Sequence, residues 1–221
     1  MSLPVKVCGI TRLEDAQAAL QCGAQALGFV FYGPSPRVVA PEKAAAIIRQ
    51  LPPFVVTVGV FVGASAAEIN RIGRTCRFDR VQLHGGEPAE MMEELERPAY
   101  RAFRLKEQGD LALVEAAPDR TVLLDTFDPG LFGGTGRAFN WEWARALGGA
   151  RQVILAGGLT PDNVERALQT ARPAAVDVSS GVEAEPGIKD HAKMAAFFQA
   201  AAAGRAFSHP SPWSGDHARA D

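Results

Sequence analysis

The chain is poor in the features that mark several protein classes. Its cysteines are only three, Cys8, Cys22 and Cys76. They are an odd number at unpatterned spacing, which excludes a disulfide framework and a cysteine-based zinc site. No apolar run is long enough to span a bilayer. The 221 residues carry a net charge of −2 with no long run of one sign, so neither nucleic acid nor an anionic membrane surface is an expected partner. No basic-then-apolar leader opens the chain, and Glu14 and Asp15 come early. A secretory signal is therefore not expected, and a reducing cytoplasm is the expected compartment. The glycine fingerprint G-x-G-x-x-G does not follow the first apolar run, where "CGITR" stands instead. That argues against the dinucleotide site of an open doubly wound sheet.

What the chain does have is regular alternation. Residues are 47% hydrophobic and 22% charged, as in ordinary globular proteins. Short β-rich runs recur at Val5–Cys8, Ala26–Phe31, Val55–Val62, Arg80–Leu83, Tyr100–Arg104, Val122–Asp125, Val153–Ala156 and Ala175–Val178. Helical patterns lie between them, near Leu13–Gln21, Pro41–Gln50, Ala66–Thr75, Ala89–Leu95, Leu111–Ala116, Trp141–Leu147, Pro161–Gln169 and His191–Ala203. The strand runs are mostly continuous rather than alternating, the pattern of strands covered on both faces. Strict β-then-α order predicts parallel strands. Eight such units predict a single-domain (β/α)₈ barrel of the α/β class, near the compact end of that fold's range. An open doubly wound sheet is the alternative.

Local signals predict helix starts. Thr11-x-x-Glu14 and Ser65-x-x-Glu68 match the capping box, and Thr160 followed by Pro161 matches a cap with proline in the first turn. The barrel is expected to fill residues 1–204. Residues 205–221, "RAFSHPSPWSGDHARAD", lose apolar periodicity and are expected to be a flexible tail.

In a barrel the chemistry sits on the loops after the strands, and the polar and glycine-rich residues concentrate there. "AGGLT" and "SSGVE" follow strands seven and eight. Small residues and open backbone N–H groups at that place suit a phosphate, a recurrent position in barrels. The plainer alternative is that the glycines only turn the chain. Asp125 ends the run "TVLLD". A helix-cap role is weakened because the next helix begins only after "TFDPGLFGGTGRAF", so an acid/base role gains weight. Cys8 ends the first strand. It is either a small buried apolar residue or a thiolate favoured by a helix N-terminus and nearby positive charge. Strands one and six face one another across a barrel, the arrangement that proton shuttling across a ligand needs.

The order "KVCGIT", "GFVFYGPSPR", "VGVFV", "VQLHG", "LLD", "FGGTG", "LAGGLTPDNV", "VDVSSGVE" resembles the phosphoribosylanthranilate isomerases of tryptophan biosynthesis, over about residues 5–200. The resemblance implies an Amadori rearrangement of N-(5-phosphoribosyl)anthranilate to 1-(2-carboxyphenylamino)-1-deoxyribulose 5-phosphate. It implies Cys8 as general base, Asp125 as general acid and Arg37 as the arginine that binds the anthranilate carboxylate. The phosphate is then expected at the amides of Gly157, Gly158, Ser180 and Gly181, with Asp177 facing the sugar. His84 and Gln82 are rim candidates, with a structural hydrogen-bonded role as the alternative. Cys22, Cys76, Trp141 and Trp143 are expected to be packing. No metal or organic cofactor is implied. The expected partner is the phosphosugar–anthranilate substrate, bound by a monomer or a homodimer. Two competing readings are a related isomerase of histidine biosynthesis, which has an aspartate where this chain has Cys8, and a non-catalytic phosphosugar-binding protein, which has no use for Cys8 and Asp125 together.

Overall fold

The computed structural model describes residues 3–126 and 141–205. Eight parallel strands close into a barrel in chain order: β1 (Val5–Cys8), β2 (Ala26–Val30), β3 (Val56–Phe61), β4 (Arg80–Leu83), β5 (Ala99–Leu105), β6 (Thr121–Thr126), β7 (Gln152–Leu155) and β8 (Ala175–Val178). The pairing of β8 with β1, with Lys6 opposite Asp177, excludes the open sheet. Around the barrel lie α1 (Leu13–Gln21), α2 (Pro41–Ile48), α3 (Ala66–Cys76), α4 (Leu111–Ala116), α5 (Trp141–Leu147), α6 (Val164–Ala171) and α7 (His191–Arg205). The loop "TFDPGLFGGTGRAF" beyond Thr126 and the tail beyond Arg205 lie outside the described residues.

Each strand turns one set of side chains out and the other in. Val5, Val7, Leu27, Phe29, Leu83, Leu124, Leu155 and Val176 join the helices in one large apolar layer. Inside the barrel a separate cluster holds Val58, Tyr100, Ala102, Leu123 and Ala156. A third, at the mouth, holds Cys8, Val30 and Val60. Helix periodicity explains the outer fit. In α6 the buried residues are Val164, Ala167, Leu168 and Ala171, spaced so that one face meets the sheet. Each buried aliphatic side chain of the Val/Leu class contributes roughly 1.5–3 kcal/mol, and Leu168→Asp would disrupt that face.

Some local expectations fail for identifiable reasons. Ser65 does cap α3, accepting the Glu68 N–H at 3.3 Å. Thr11 does not cap α1: Arg12 holds the cap position without a side-chain bond, and the Thr11 hydroxyl donates to the Gly187 carbonyl at 2.5 Å. Thr160 does not cap α6 either. That helix begins at Val164, and the Thr160 N–H donates to Asn163 Oδ1 at 2.9 Å. The fourth connection forms a 3₁₀-helix, Ala89–Glu94, where an α-helical pattern was expected. After β8 come a 3₁₀ turn at Ser180–Val182 and a two-stranded hairpin, β9 (Glu183–Glu185) with β10 (Ile188–Lys189). Among the described residues no helix is long and apolar enough to cross a membrane.

Candidate active site

One cavity opens at the C-terminal ends of the strands. Its walls bring together Cys8, Arg37, Gln82, His84, Asp125, Gly157, Gly158, Asp177 and Ser180. Every expected site residue except Gly181 therefore lines one space. Gly181 sits behind it: a Cβ there would fall 1.8 Å from the Leu159 carbonyl oxygen. Its missing side chain lets the loops after β7 and β8 pack backbone against backbone. Gln82 is not on the rim, since it is buried within β4. Val30, Val60, Val62 and Tyr32 give the cavity an apolar wall near Arg37.

The end of β1 shows why "CG" stands there. The Gly9 and Ile10 N–H groups both donate to the Gly28 carbonyl, at 3.0 and 2.9 Å. Gly9 has φ +78°, and a Cβ on it would meet Arg37 Cδ at 2.8 Å. Glycine both permits the left-handed turn and clears the path of the arginine. Arg37 then reaches Glu183. Nε lies 2.9 and 3.2 Å from its two carboxylate oxygens, and Nη2 donates to Oε2 at 2.8 Å. The Nε side is committed to Glu183, and the Nη1/Nη2 end remains for an incoming carboxylate. Glu183 also accepts from Lys189 Nζ at 2.8 Å. Burial works to raise the Glu183 carboxyl, and Arg37 and Lys189 outweigh it, so the group is held below its ordinary value.

Cys8 is 8% exposed. Burial pushes its thiol up, against the opposing pull of Lys6 and Lys189, while the Asp177 charge adds to the rise. The net direction is upward. Below Cys8 on the same face of β1, Lys6 Nζ donates to Asp177 Oδ2 at 2.7 Å. Both groups are buried, and Asp177 Oδ1 has no partner among the described residues. Burial works against the Lys6 ammonium, and Asp177 and its neighbours more than offset it, so Lys6 stays charged.

Asp125 is held differently. The Tyr100 hydroxyl donates to Gln82 Oε1 at 3.0 Å, and Gln82 Nε2 lies 2.8 Å from His84 Nδ1. An amide N–H can only donate, so Nδ1 accepts and the ring proton sits on Nε2. That nitrogen donates to Asp125 Oδ2 at 3.1 Å. His84 is thus both on the cavity wall and structural. Next to it, the N–H groups of Gly157, Gly158 and Ser180 make no backbone hydrogen bond among the described residues, which leaves them available to an anion. Sequence reasoning missed Lys6, Glu183, Lys189 and Tyr100. A lysine inside the buried run "VKVC" was the one available signal, because a buried charge requires a partner. Cys76 and Trp141 are buried packing, and Cys22 is half-buried.

Three comparisons bear on this geometry. A family model described as N-(5'-phosphoribosyl)anthranilate (PRA) isomerase matches residues 5–200. An N-(5'-phosphoribosyl)anthranilate isomerase of Geobacter sulfurreducens is 51% identical over 197 residues, 89% of this chain and 97% of its own. A crystal structure of phosphoribosyl anthranilate isomerase from Thermotoga maritima superposes with a TM-score of 0.86 at 40% identity, covering 91% of this chain and 98% of that one. Another, of phosphoribosyl anthranilate isomerase in complex with reduced 1-(o-carboxyphenylamino)-1-deoxyribulose 5-phosphate, superposes at 0.82 with 40% identity and the same coverage.

Proposed function

The chain belongs to the N-(5'-phosphoribosyl)anthranilate isomerase family, and from that premise we propose how the residues at its barrel mouth divide the reaction. The protein is an isomerase of tryptophan biosynthesis. It converts N-(5-phosphoribosyl)anthranilate to 1-(2-carboxyphenylamino)-1-deoxyribulose 5-phosphate by an Amadori rearrangement.

Asp125 donates a proton to the furanose ring oxygen, and the ring opens to a Schiff base. Its Oδ2 accepts from the His84 N–H, which fixes the orientation of the carboxyl group. Cys8, as thiolate, removes the proton from the sugar C2 carbon. The electron pair moves into the iminium, giving an enolamine, and tautomerisation to the ketone completes the change. The end of the Arg37 guanidinium takes the anthranilate carboxylate bidentately, with Val30 and Tyr32 against the aromatic ring. The phosphate is held by the amides of Gly157, Gly158 and Ser180, with Gly181 keeping the two loops in contact. Asp177, with one buried oxygen still open, faces the sugar hydroxyls. All of these residues come from one chain, so a monomer or a homodimer can carry the reaction, which sedimentation analysis decides. The three free cysteines fit a reducing cytoplasm.

The observation that carries this division of roles is that Cys8 and Asp125 line one cavity with Arg37 and the Gly157–Gly158 amides. The test is direct turnover of N-(5-phosphoribosyl)anthranilate by the purified protein. A folded protein that binds the product analogue without converting substrate would overturn the catalytic assignment and leave a binding protein.

A further inference from the structure

Lys6 is a buried cation that the steps above leave unused, and it does not line the cavity. An ammonium has three protons to donate, and one goes to Asp177 Oδ2 at 2.7 Å. The neighbourhood of Gly28 shows where the rest of the group lies. Gly28 is the β2 partner of Cys8. A Cβ added to it would stand 2.7 Å from Cys8 Sγ and 3.1 Å from Lys6 Nζ. The thiol and the ammonium therefore share the space that a side chain on Gly28 would fill.

We propose that Lys6 is a positioning residue for the isomerisation: its ammonium is shared between Asp177 and the Cys8 sulfur and is the counter-ion of the Cys8 thiolate. This rests on Cys8 being the base. The groups facing Cys8 are Lys6 from its own strand, Asp177 from β8, Tyr100 from β5, Lys189 from β10, and Asp125 and His84 across the cavity. Of these, Lys6 is the foremost group opposing the upward push of burial on the thiol, and Asp177 works against it.

The charges balance through the cycle. The thiol gives its proton to solvent at the mouth, and the resulting thiolate faces the Lys6 ammonium. When the substrate C2–H bond breaks, its proton forms an S–H bond and its electron pair enters the substrate iminium. The sulfur is then neutral, and the ammonium is still paired with Asp177. The buried cation has an anionic partner at every stage; in the thiolate state the lysine faces two anions, and the surplus negative charge is met by the substrate iminium until the C2 proton neutralises the sulfur.

The experiment is the pH dependence of Cys8 alkylation by iodoacetamide without substrate, with mass spectrometry separating Cys8 from Cys22 and Cys76. In Lys6→Met the midpoint should rise by about one pH unit or more, the range for losing an opposite charge at close quarters. In Asp177→Asn it should fall, because the ammonium is released to the sulfur. Opposite signs are the signature, since a merely structural role would move both midpoints alike or neither. A folded Lys6→Met with the wild-type midpoint overturns the proposal. If Lys6→Met does not fold, the Asp177→Asn arm decides, and a midpoint unmoved or raised overturns it. A wild-type protein with no isomerase turnover but with the two opposed shifts would sink the catalytic reading and leave the charge assignment standing.

Discussion

Around Cys8 the barrel wall is ionic. Lys6 meets Asp177, and Arg37 and Lys189 meet Glu183. The Lys189 N–H donates to Asp15, which also takes Arg12 and His191. Around Asp125 the wall is a file of neutral side chains, Tyr100, Gln82 and His84, each donating to the next. The difference follows from what each side must do. In the proposed reaction Cys8 changes charge in a buried place, and charge change is controlled by neighbouring charges. In the proposed reaction Asp125 is a proton donor that must be oriented, and orientation is controlled by hydrogen bonds whose directions are fixed end to end. Such a one-way chain also polarises along its length.

The sharpest way to break the comparison is at its two ends. Cys8→Ser should fold and still bind a product analogue, yet lose about 10²-fold or more in turnover. Asp125→Asn should lose a similar amount, because an amide has no proton to give. The double variant should lose less than the product of the two, since both act on one reaction coordinate. Steady-state assays with analogue titrations check all three. A Cys8→Ser protein that keeps most of its turnover would make the ionic wall purely structural.

Arg37→Ala comes next. It should weaken a carboxylate-bearing product analogue by roughly 1.5–3 kcal/mol, the range for a hydrogen bond to a charged group. Inorganic phosphate should bind nearly as before. Equal losses for both ligands in a calorimetric titration would remove Arg37 from carboxylate recognition.

Tyr100→Phe tests the neutral wall. It strips the far donor from the file and leaves Gln82 Oε1 buried without a partner, at a cost of about 1 kcal/mol or somewhat more. Burial holds the Tyr100 hydroxyl protonated, so the loss in denaturant unfolding should not vary with pH near neutrality. A marked pH dependence would show that this wall carries charge after all.

The smallest effect belongs to Asp15. Burial works to raise its carboxyl, and Arg12, His191 and the Lys189 N–H outweigh it, so the folded value lies below the ordinary 3.8. A depressed carboxyl stabilises the fold fully above that ordinary value, and its contribution fades as pH falls through the lower folded value. Asp15→Asn should therefore flatten the acid end of the stability profile and leave the neutral-side file untouched. An unchanged acid slope would show that the ion pairs there contribute nothing measurable.

The sequence made the outer layer of this molecule legible and the inner ion pairs much less so. Strands such as "TVLLD" and helices such as α6 follow from apolar runs and spacing, which depend on local chemistry. Cys8 and Asp125 stood out because strand ends in a barrel converge, and Arg37 only through the family resemblance. The partner of Lys6 was not, because it depends on the register that sets Lys6 opposite Asp177, and register between the first and last strands leaves no local trace. Thr11 shows the same limit from the other side. Its capping spacing is present, but a carbonyl at Gly187 competes for the hydroxyl and wins.

The bonds that join the first strand to the last differ from the neutral file in how far apart in the chain their members lie. The bonds of the neutral file span 18, 2 and 41 residues. At the seam beside Cys8, Lys6 to Asp177 and Ser179 to Cys8 each span 171, and Thr11 to Gly187 spans 176. Contacts of such separation close the largest loops and are slow to form. The support of Asp125 can assemble once β6 has been made, but the Lys6–Asp177 pair beneath Cys8 waits until β8 arrives and the seam closes. Completing the ion pair beneath Cys8 is thus a late event in the life of each new molecule. A chain cut short anywhere before β8 keeps its thiol without the carboxylate that orders the lysine beneath it.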